Sequence, residues 1–347
     1  MGSAAAVVAL ATGLCLVPAC SMAGGATSDE PVPSPGCGTS RVGPGEEATT
    51  LLSGGSSRLY IQHVPPAHDG STPLPLVIDL HGFNEGAVAH ADYTRLGDYG
   101  DEQGFVTITP QGRGQVAAWD TEPGSGDVVF IDDLLDRVEA NLCIDLDRVY
   151  ATGVSNGAML ASTLACDSSD RIAAIAPVAG VAAVPDCAPE RPVPIAAFHG
   201  TDDPAVRYDG GFGPGVAELP TPSDHGPTSI GASQPLADLP VPEVMDRWAE
   251  LYGCDAGTEE EHVAEDVTLV TEACPGWSAV ELYRVEGGGH TWPGARTVEL
   301  AEPLASAVVD AGRTSPVSAN ALMWAFFEDH PRWAGGPWVK AALTGGD

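Results

Sequence analysis

From about Leu51 onward, hydrophobic and polar positions fall into alternating strand-like and helix-like blocks. "RLYIQHV" (Arg58–Val64) alternates with the period of a strand. "LPLVIDLHG" (Leu74–Gly82) and "FVTITP" (Phe105–Pro110) are near-continuous apolar runs, as strands buried on both faces read. Between them, Thr94–Phe105 suits a helix closed by Gly104. Asp127–Leu142 starts acidic and brings Phe130, Leu134, Val138 and Leu142 onto one helical face. "RVYATG" (Arg148–Gly153) predicts a strand and Gly157–Cys166 a helix. Ile172–Gly180 and Val193–Gly200 predict further strands. Pro242–Gly253 begins with proline and ends with glycine, as helices do. "VTLVTEA" and "AVELYRVE" are two late strands, and Ser318–His330 is a closing amphipathic helix. This alternation predicts an α/β fold with a mostly parallel sheet and helices on both faces. Sites in such sheets lie at the carboxyl ends of the strands. Tyr208–Pro240 breaks the pattern with Pro, Gly and Ser. It reads as an irregular surface excursion, or as a loop overhanging a site.

Residues 1–20 carry no charged side chain, and Ala4–Val17 is apolar. That run is too short to span a bilayer and suits the core of a signal peptide, although the usual basic start is missing. "VPAC", ending at Cys20, resembles a bacterial lipobox and would place a lipid anchor on that cysteine; simple secretion is the alternative. Residues 21–47 are rich in Gly, Pro, Ser and Thr and read as a flexible linker. Residues 48–347 are expected to form a single catalytic domain, placed outside the cell or at its surface.

Composition narrows the partners. The 347-residue chain has 48 acidic against 15 basic residues, a net charge of -33, and Lys340 as its only lysine. Such a surface repels nucleic acid and anionic headgroups, so no nucleic-acid partner is expected. Beyond Cys15 and Cys20 stand Cys37, Cys143, Cys166, Cys187, Cys254 and Cys274, with no CxxC pair. An even set in an exported chain predicts disulfides rather than a zinc site. The pairs flanking single strands, Cys166–Cys187 and Cys254–Cys274, are the expected bridges.

The chemistry begins at "GVSNG", Gly153–Gly157, the one G-x-S-x-G in the chain. With a strand before and a helix after, it reads as a nucleophile elbow exposing Ser155. A serine hydroxyl needs a base. Of nine histidines, His290 in "GGGHTWPG" follows a late strand on a glycine-rich loop that lets the ring reach over the sheet edge. His81 and His199 each precede a glycine at a strand end and suit structural or oxyanion-loop roles. The orienting acid belongs between nucleophile and base; "FHGTDDP" supplies Asp203, with Asp202 beside it. Ser155, Asp203, His290 is the α/β-hydrolase order. An oxyanion hole needs two fixed N–H donors. Asn156 is the expected first, and Phe83 in "HGFNEG" the second, ahead of Asn84. Trp119 and Trp292 lie near strand-end loops and are candidate substrate-binding aromatics. No metal or cofactor is called for.

Taken together, "LVIDLHGFNEGA", "RVYATGVSNGAMLASTLAC", "APVAG", "PIAAFHGTDDPAVRYDGG" and "GGGHTWPG" resemble the polyhydroxybutyrate depolymerase-like esterases, secreted α/β hydrolases related to feruloyl and acetylxylan esterases. The resemblance runs from about Leu59 to Arg332, and Arg207 stands where relatives commonly carry proline. It implies an α/β-hydrolase fold and hydrolysis of a carboxylic ester, polymeric, polysaccharide-linked or small. It implies Ser155 as nucleophile, His290 as general acid/base and Asp203 as orienting acid, favouring Asp203 over Asp202. The rival readings are a serine peptidase on the same fold and a catalytically silent surface-binding protein.

Overall fold

The computed structural model describes Gly2 and residues 30–226, 228–276, 278–295 and 314–332. The expected signal peptide over residues 1–20 and the expected lipobox cysteine, Cys20, lie outside the described residues. The strands are β1 Gly45–Ser53, β2 Ser56–Val64, β3 Leu74–Leu80, β4 Val106–Pro110, β5 Ile144–Val154, β6 Ala174–Val178 and β7 Ile195–Gly200. They continue with β8 Pro220–Thr221, β9 Thr228–Ser229, β10 Asp255–Ala264, β11 Val267–Ala273 and β12 Val280–Val285. The helices are α1 Ala87–Thr94, α2 Leu96–Gln103, α3 Gly126–Asn141, α4 Asn156–Asp167, α5 Ile230–Ser233, α6 Val241–Tyr252 and α7 Ala319–Asp329.

One sheet has the order β1-β2-β4-β3-β5-β6-β7-β12-β11-β10. From β4 to β12 neighbouring strands run parallel, while β1, β2, β11 and β10 pair antiparallel at the two edges. Side chains on the central strands alternate between two cores, because successive Cβ atoms point to opposite faces. Leu76, Ile78, Ala151, Ile175 and Ile195 pack with α3, α4 and α6 on one face. Val77, Tyr150, Ala174, Ala196 and Phe198 pack with α2 and α7 on the other. On that second face the Tyr150 ring stacks on Phe327 at 4.4 Å and its hydroxyl donates to the Phe327 carbonyl. Truncating Phe327 to alanine would cost about 3–5 kcal/mol. This is the α/β-hydrolase fold.

Three local differences from the sequence reading have clear causes. The helix expected over Thr94–Phe105 is α2, beginning at Leu96, and a separate helix, α1, precedes it; the two are divided at Arg95, whose φ of 50° is left-handed. Gly104 closes α2 as expected. The edge strand β10 was not anticipated, because its exposed "TEEEHV" carries no hydrophobic alternation and its order comes from backbone pairing with β11. The linker expected over 21–47 is not a free tether in its described part. Cys37 is bridged to Cys143, the Ser34 N–H donates to Ile144 O, and Val32 and Leu146 share a backbone hydrogen bond. β1 already begins at Gly45. Glycine and proline content suggested flexibility, but a covalent bridge and a short β-like pairing fix this segment to the domain. The bridges Cys166–Cys187 and Cys254–Cys274 form as expected.

Candidate active site

The elbow is built by close backbone packing. Ser155 follows β5 with φ 56° and ψ -119°, a conformation rarely adopted by a residue with a side chain. Its N–H donates to Val178 O of β6 and its carbonyl opens α4 by accepting from Met159 N. The next turn requires glycine: a Cβ on Gly157 would stand 2.1 Å from Leu80 O and 2.6 Å from His81 O. The elbow therefore rests directly on the end of β3, where the "HGFNEG" loop begins. Asn156 is the first residue of α4, so its amide has no intrahelical acceptor. Its buried side chain accepts from Trp119 N at 2.7 Å and donates to Trp119 O at 3.3 Å.

Asp203 and His290 come from the loops after β7 and β12, which are adjacent parallel strands. The two loops are laced together: Asp202 N donates to Gly288 O, and Gly287 N to Thr201 Oγ1. A Cβ on Gly200 would lie 2.2 Å from Gly288 O, so only glycine lets the strand end approach the histidine loop this closely. His290 Nδ1 lies 2.8 Å from Asp203 Oδ2. The other oxygen, Asp203 Oδ1, accepts from Ala205 N at 2.8 Å and Val206 N at 2.9 Å. Burial opposes the Asp203 charge, but His290, His199 and the backbone donors outweigh it and hold its pKa below the usual carboxylate range. For His290, burial disfavours the imidazolium, yet Asp203 and then Glu85 raise its pKa above the ordinary value. His199 is buried, its Nε2 3.4 Å from Asp203 Oδ2 and 2.8 Å from Val206 O; burial lowers its pKa against the pull of Asp203. Asp202 points instead into the turn near Gly287.

In the loop after β3, three amides are already committed. Gly82 N donates to Glu85 Oε2, Asn84 N to Ala117 O, and Glu85 N to Gly82 O. Among the described residues no acceptor meets the Phe83 N–H. The Asn84 amide is therefore engaged, and the Phe83 amide is the one in this loop left without an acceptor among the described residues. His81 is neutral, its pKa lowered by burial to about 4, and it accepts from Gly112 N while its Nδ1 faces Gly82 O.

The two tryptophans do not line a substrate cleft. Trp119 is fully buried; its indole N–H donates to His81 O at 2.8 Å and its ring lies 4.8 Å from His81. Trp292 is also buried, donating its N–H to Tyr93 Oη and its indole N–H to Asn320 Oδ1. Their position near strand-end loops was legible, but tertiary packing turns both rings inward. Trp119 braces the loop after β3 and Trp292 ties the histidine loop to α1. A small buried apolar cluster of Met159, Ala205, Val216 and Ile230, with Phe83 and Phe212 packed against it, joins α4 to the segment after Asp203. Three of these, Phe212, Val216 and Ile230, belong to the 208–240 excursion.

Comparison with known proteins is consistent with this geometry. The family described as esterase PHB depolymerase matches residues 58–188, which include the loop after β3 and the elbow. Over that segment the chain resembles this esterase family. It is 28% identical over 243 residues to feruloyl esterase B of Piromyces equi, covering 67% of this chain and 42% of that protein. It is 32% identical over 188 residues to feruloyl esterase C of Emericella nidulans, covering 51% of this chain and 65% of that protein. The chain thus spans less than two thirds of either relative. An acetyl xylan esterase structure from Aspergillus awamori superimposes with a TM-score of 0.53 at 15% identity, covering 72% of this chain and 94% of that one. At that identity the likeness is one of fold.

Proposed function

We propose that this chain is an exported serine hydrolase of carboxylic esters, working through Ser155, His290 and Asp203. The observation that carries the reading is the 2.8 Å contact of His290 Nδ1 with Asp203, on the loops after β7 and β12, in the same parallel sheet as β5, which leads into the strained Ser155 elbow. With Nδ1–H held by Asp203, Nε2 is left to accept the serine proton. Ser155 Oγ attacks the ester carbonyl carbon as Nε2 takes its proton. The carbonyl oxygen becomes an oxyanion held by the Asn156 and Phe83 N–H groups, near the positive end of α4. Collapse expels the alcohol, which receives the proton from Nε2. Water then attacks the acyl-enzyme by the same route, releasing the acid and restoring Ser155.

The experiment is hydrolysis of p-nitrophenyl acetate and butyrate by wild type and Ser155→Ala. Loss of about 10⁴-fold or more in kcat is expected, and equal activity would remove Ser155 from the mechanism. The relatives' names make feruloyl and acetyl esters of plant polysaccharides the first substrates to try, beside hydroxybutyrate oligomers. Selectivity among them is expected to follow the 208–240 excursion, which packs against Met159 of α4 through Val216 and Ile230. The three disulfides support an oxidising compartment. No helix among the described residues is long and apolar enough to cross a membrane. Export through residues 1–20 and a lipid on Cys20 belong to the same proposal. Mass spectrometry of the membrane fraction reads the anchor directly, and an unmodified amino terminus there refutes it.

A further inference from the structure

Asp79 is a carboxylate within β3, where all seven residues are buried. A buried carboxylate persists only when paired and hydrogen-bonded. Its two oxygens meet His90 Nε2 at 2.8 Å and Thr94 Oγ1 at 2.7 Å. His90 and Thr94 are four residues apart on α1 and so share a face. The other ring nitrogen, His90 Nδ1, lies 3.0 Å from Glu85 Oε2. That same Glu85 oxygen accepts the Gly82 N–H at 2.8 Å.

A ring with a carboxylate oxygen at each nitrogen carries a proton on both. His90 is therefore an imidazolium, and its side chain is completely buried. Burial works against that charge, and Asp79 and Glu85 overcome it, lifting the His90 pKa to about 10. The contacts form a rigid line from the sheet to the loop: Asp79, His90, Glu85, Gly82 N–H. With Gly82, Asn84 and Glu85 amides all committed, the loop presents the Phe83 N–H. Without the Glu85 carboxylate, Gly82 loses its acceptor and the loop loses the restraint that aims Phe83.

We infer that His90 and Glu85 are positioning residues for the oxyanion hole: the buried Asp79–His90–Glu85 line anchors the loop after β3 so that the Phe83 amide faces the reacting carbonyl. The inference rests on the reading of Phe83 and Asn156 as oxyanion donors given above. His90 itself touches no reacting atom. A merely structural role would lower stability and leave turnover per folded molecule unchanged, whereas a positioning role lowers kcat at constant KM.

The test uses the full chain, p-nitrophenyl acetate, and an aryl trifluoromethyl ketone whose hemiketal oxyanion would sit in the hole. Variants are Ser155→Ala, Glu85→Ala, Glu85→Gln and His90→Gln, each checked by near-ultraviolet circular dichroism. Glu85→Ala and His90→Gln are expected to lose about 100-fold in kcat with KM within about threefold, and the ketone Ki is expected to rise in parallel. Glu85→Gln keeps an oxygen for both Gly82 and His90, so kcat returns to within about fivefold of wild type. The inference falls if Glu85→Ala and His90→Gln keep kcat within about threefold. It also falls if Glu85→Gln is as poor as Glu85→Ala, which would assign the effect to charge rather than position. Should the larger variants not fold, amide hydrogen exchange and imidazole NMR of the wild type decide. A protected Gly82 amide, a fast-exchanging Phe83 amide and two protonated His90 nitrogens at pH 8 are expected; a protected Phe83 amide or a singly protonated ring overturns the inference. If Ser155→Ala retains full turnover, the active-site reading itself has failed. If Ser155→Ala is inactive and the Glu85 and His90 variants are normal, only the present inference has.

Discussion

Gly157→Ala tests how tightly the elbow and the oxyanion loop depend on one contact. Helix propensity alone favours alanine over glycine by about 1 kcal/mol, so on local grounds the substitution should stabilise α4. Tertiary packing opposes it. The added methyl would stand 2.1 Å from Leu80 O and 2.6 Å from His81 O, whereas real Cβ atoms stay beyond 3.0 Å. The backbone must open by about 0.9 Å, because a carbonyl on a central strand cannot swing aside as a side-chain tip can. The opening lies between α4, which carries the Asn156 amide, and the end of β3, which carries the Phe83 amide. A misplacement of about 1 Å costs on the order of 100-fold in rate, and overpacking costs about 1–3 kcal/mol of stability. The net expectation is a kcat on p-nitrophenyl acetate about 100-fold lower at nearly constant KM, with a lower Tm. Steady-state kinetics and thermal unfolding of the purified variant measure both. A kcat within about threefold of wild type together with an equal or higher Tm would refute the reasoning, since propensity would then have outweighed packing.

Further expectations concern pH and covalent restraint. His290 must be neutral to accept the serine proton, and its pKa is raised on balance by Asp203 and Glu85 over the opposing effect of burial. kcat/KM should therefore rise with pH through an inflection above about 6.5; an inflection below 6 in the pH–rate profile contradicts the pairing. For His90 the folded pKa is raised, so its stabilisation is complete below about 6.5 and is lost as pH rises towards about 10. Urea unfolding at pH 6, 8 and 10 should show wild type losing stability over that window and His90→Gln losing less; parallel curves would discount a charged His90. The Cys37–Cys143 bridge spans 106 residues, against 21 and 20 for the others. On the chain-entropy account its removal by the Cys37→Ser/Cys143→Ser pair costs about 4–5 kcal/mol. A cost below about 1 kcal/mol in urea unfolding would mean that the amino-terminal segment adds nothing through the bridge.

Much of the site was legible because its chemistry is local. The G-x-S-x-G between a strand and a helix marks Ser155 without any distant information. Asp203 and His290 each follow an apolar strand, so their place at one sheet edge follows from the parallel alternation. The buried line behind the loop was not legible in the same way. Asp79 is a single charge in an apolar run, its partners His90 and Thr94 lie on a helix, and Glu85, which meets the far side of His90, lies on a loop. No spacing rule joins them; only the docking of α1 against β3 does. The edge strand β10 escaped for the opposite reason, since an exposed acidic strand paired on one side has no apolar face to announce it.

The sequence by itself determined the alternation of strands and helices, the order of the proposed nucleophile, acid and base, and the two short-range disulfides. These depend on side-chain periodicity and on neighbours along the chain. The tertiary structure alone decided that Cys37 reaches Cys143, which turns part of an apparent tether into domain. It decided that Trp119 and Trp292 face inward as braces, because their indole N–H groups find acceptors in the core rather than solvent. It also decided that Phe83, and not Asn84, offers the free amide, because Asn84 N is taken by Ala117 O across the loop. Which hydrogen bonds close, and which donor is left over, is set by the approach of segments distant in sequence, and periodicity carries no record of that approach.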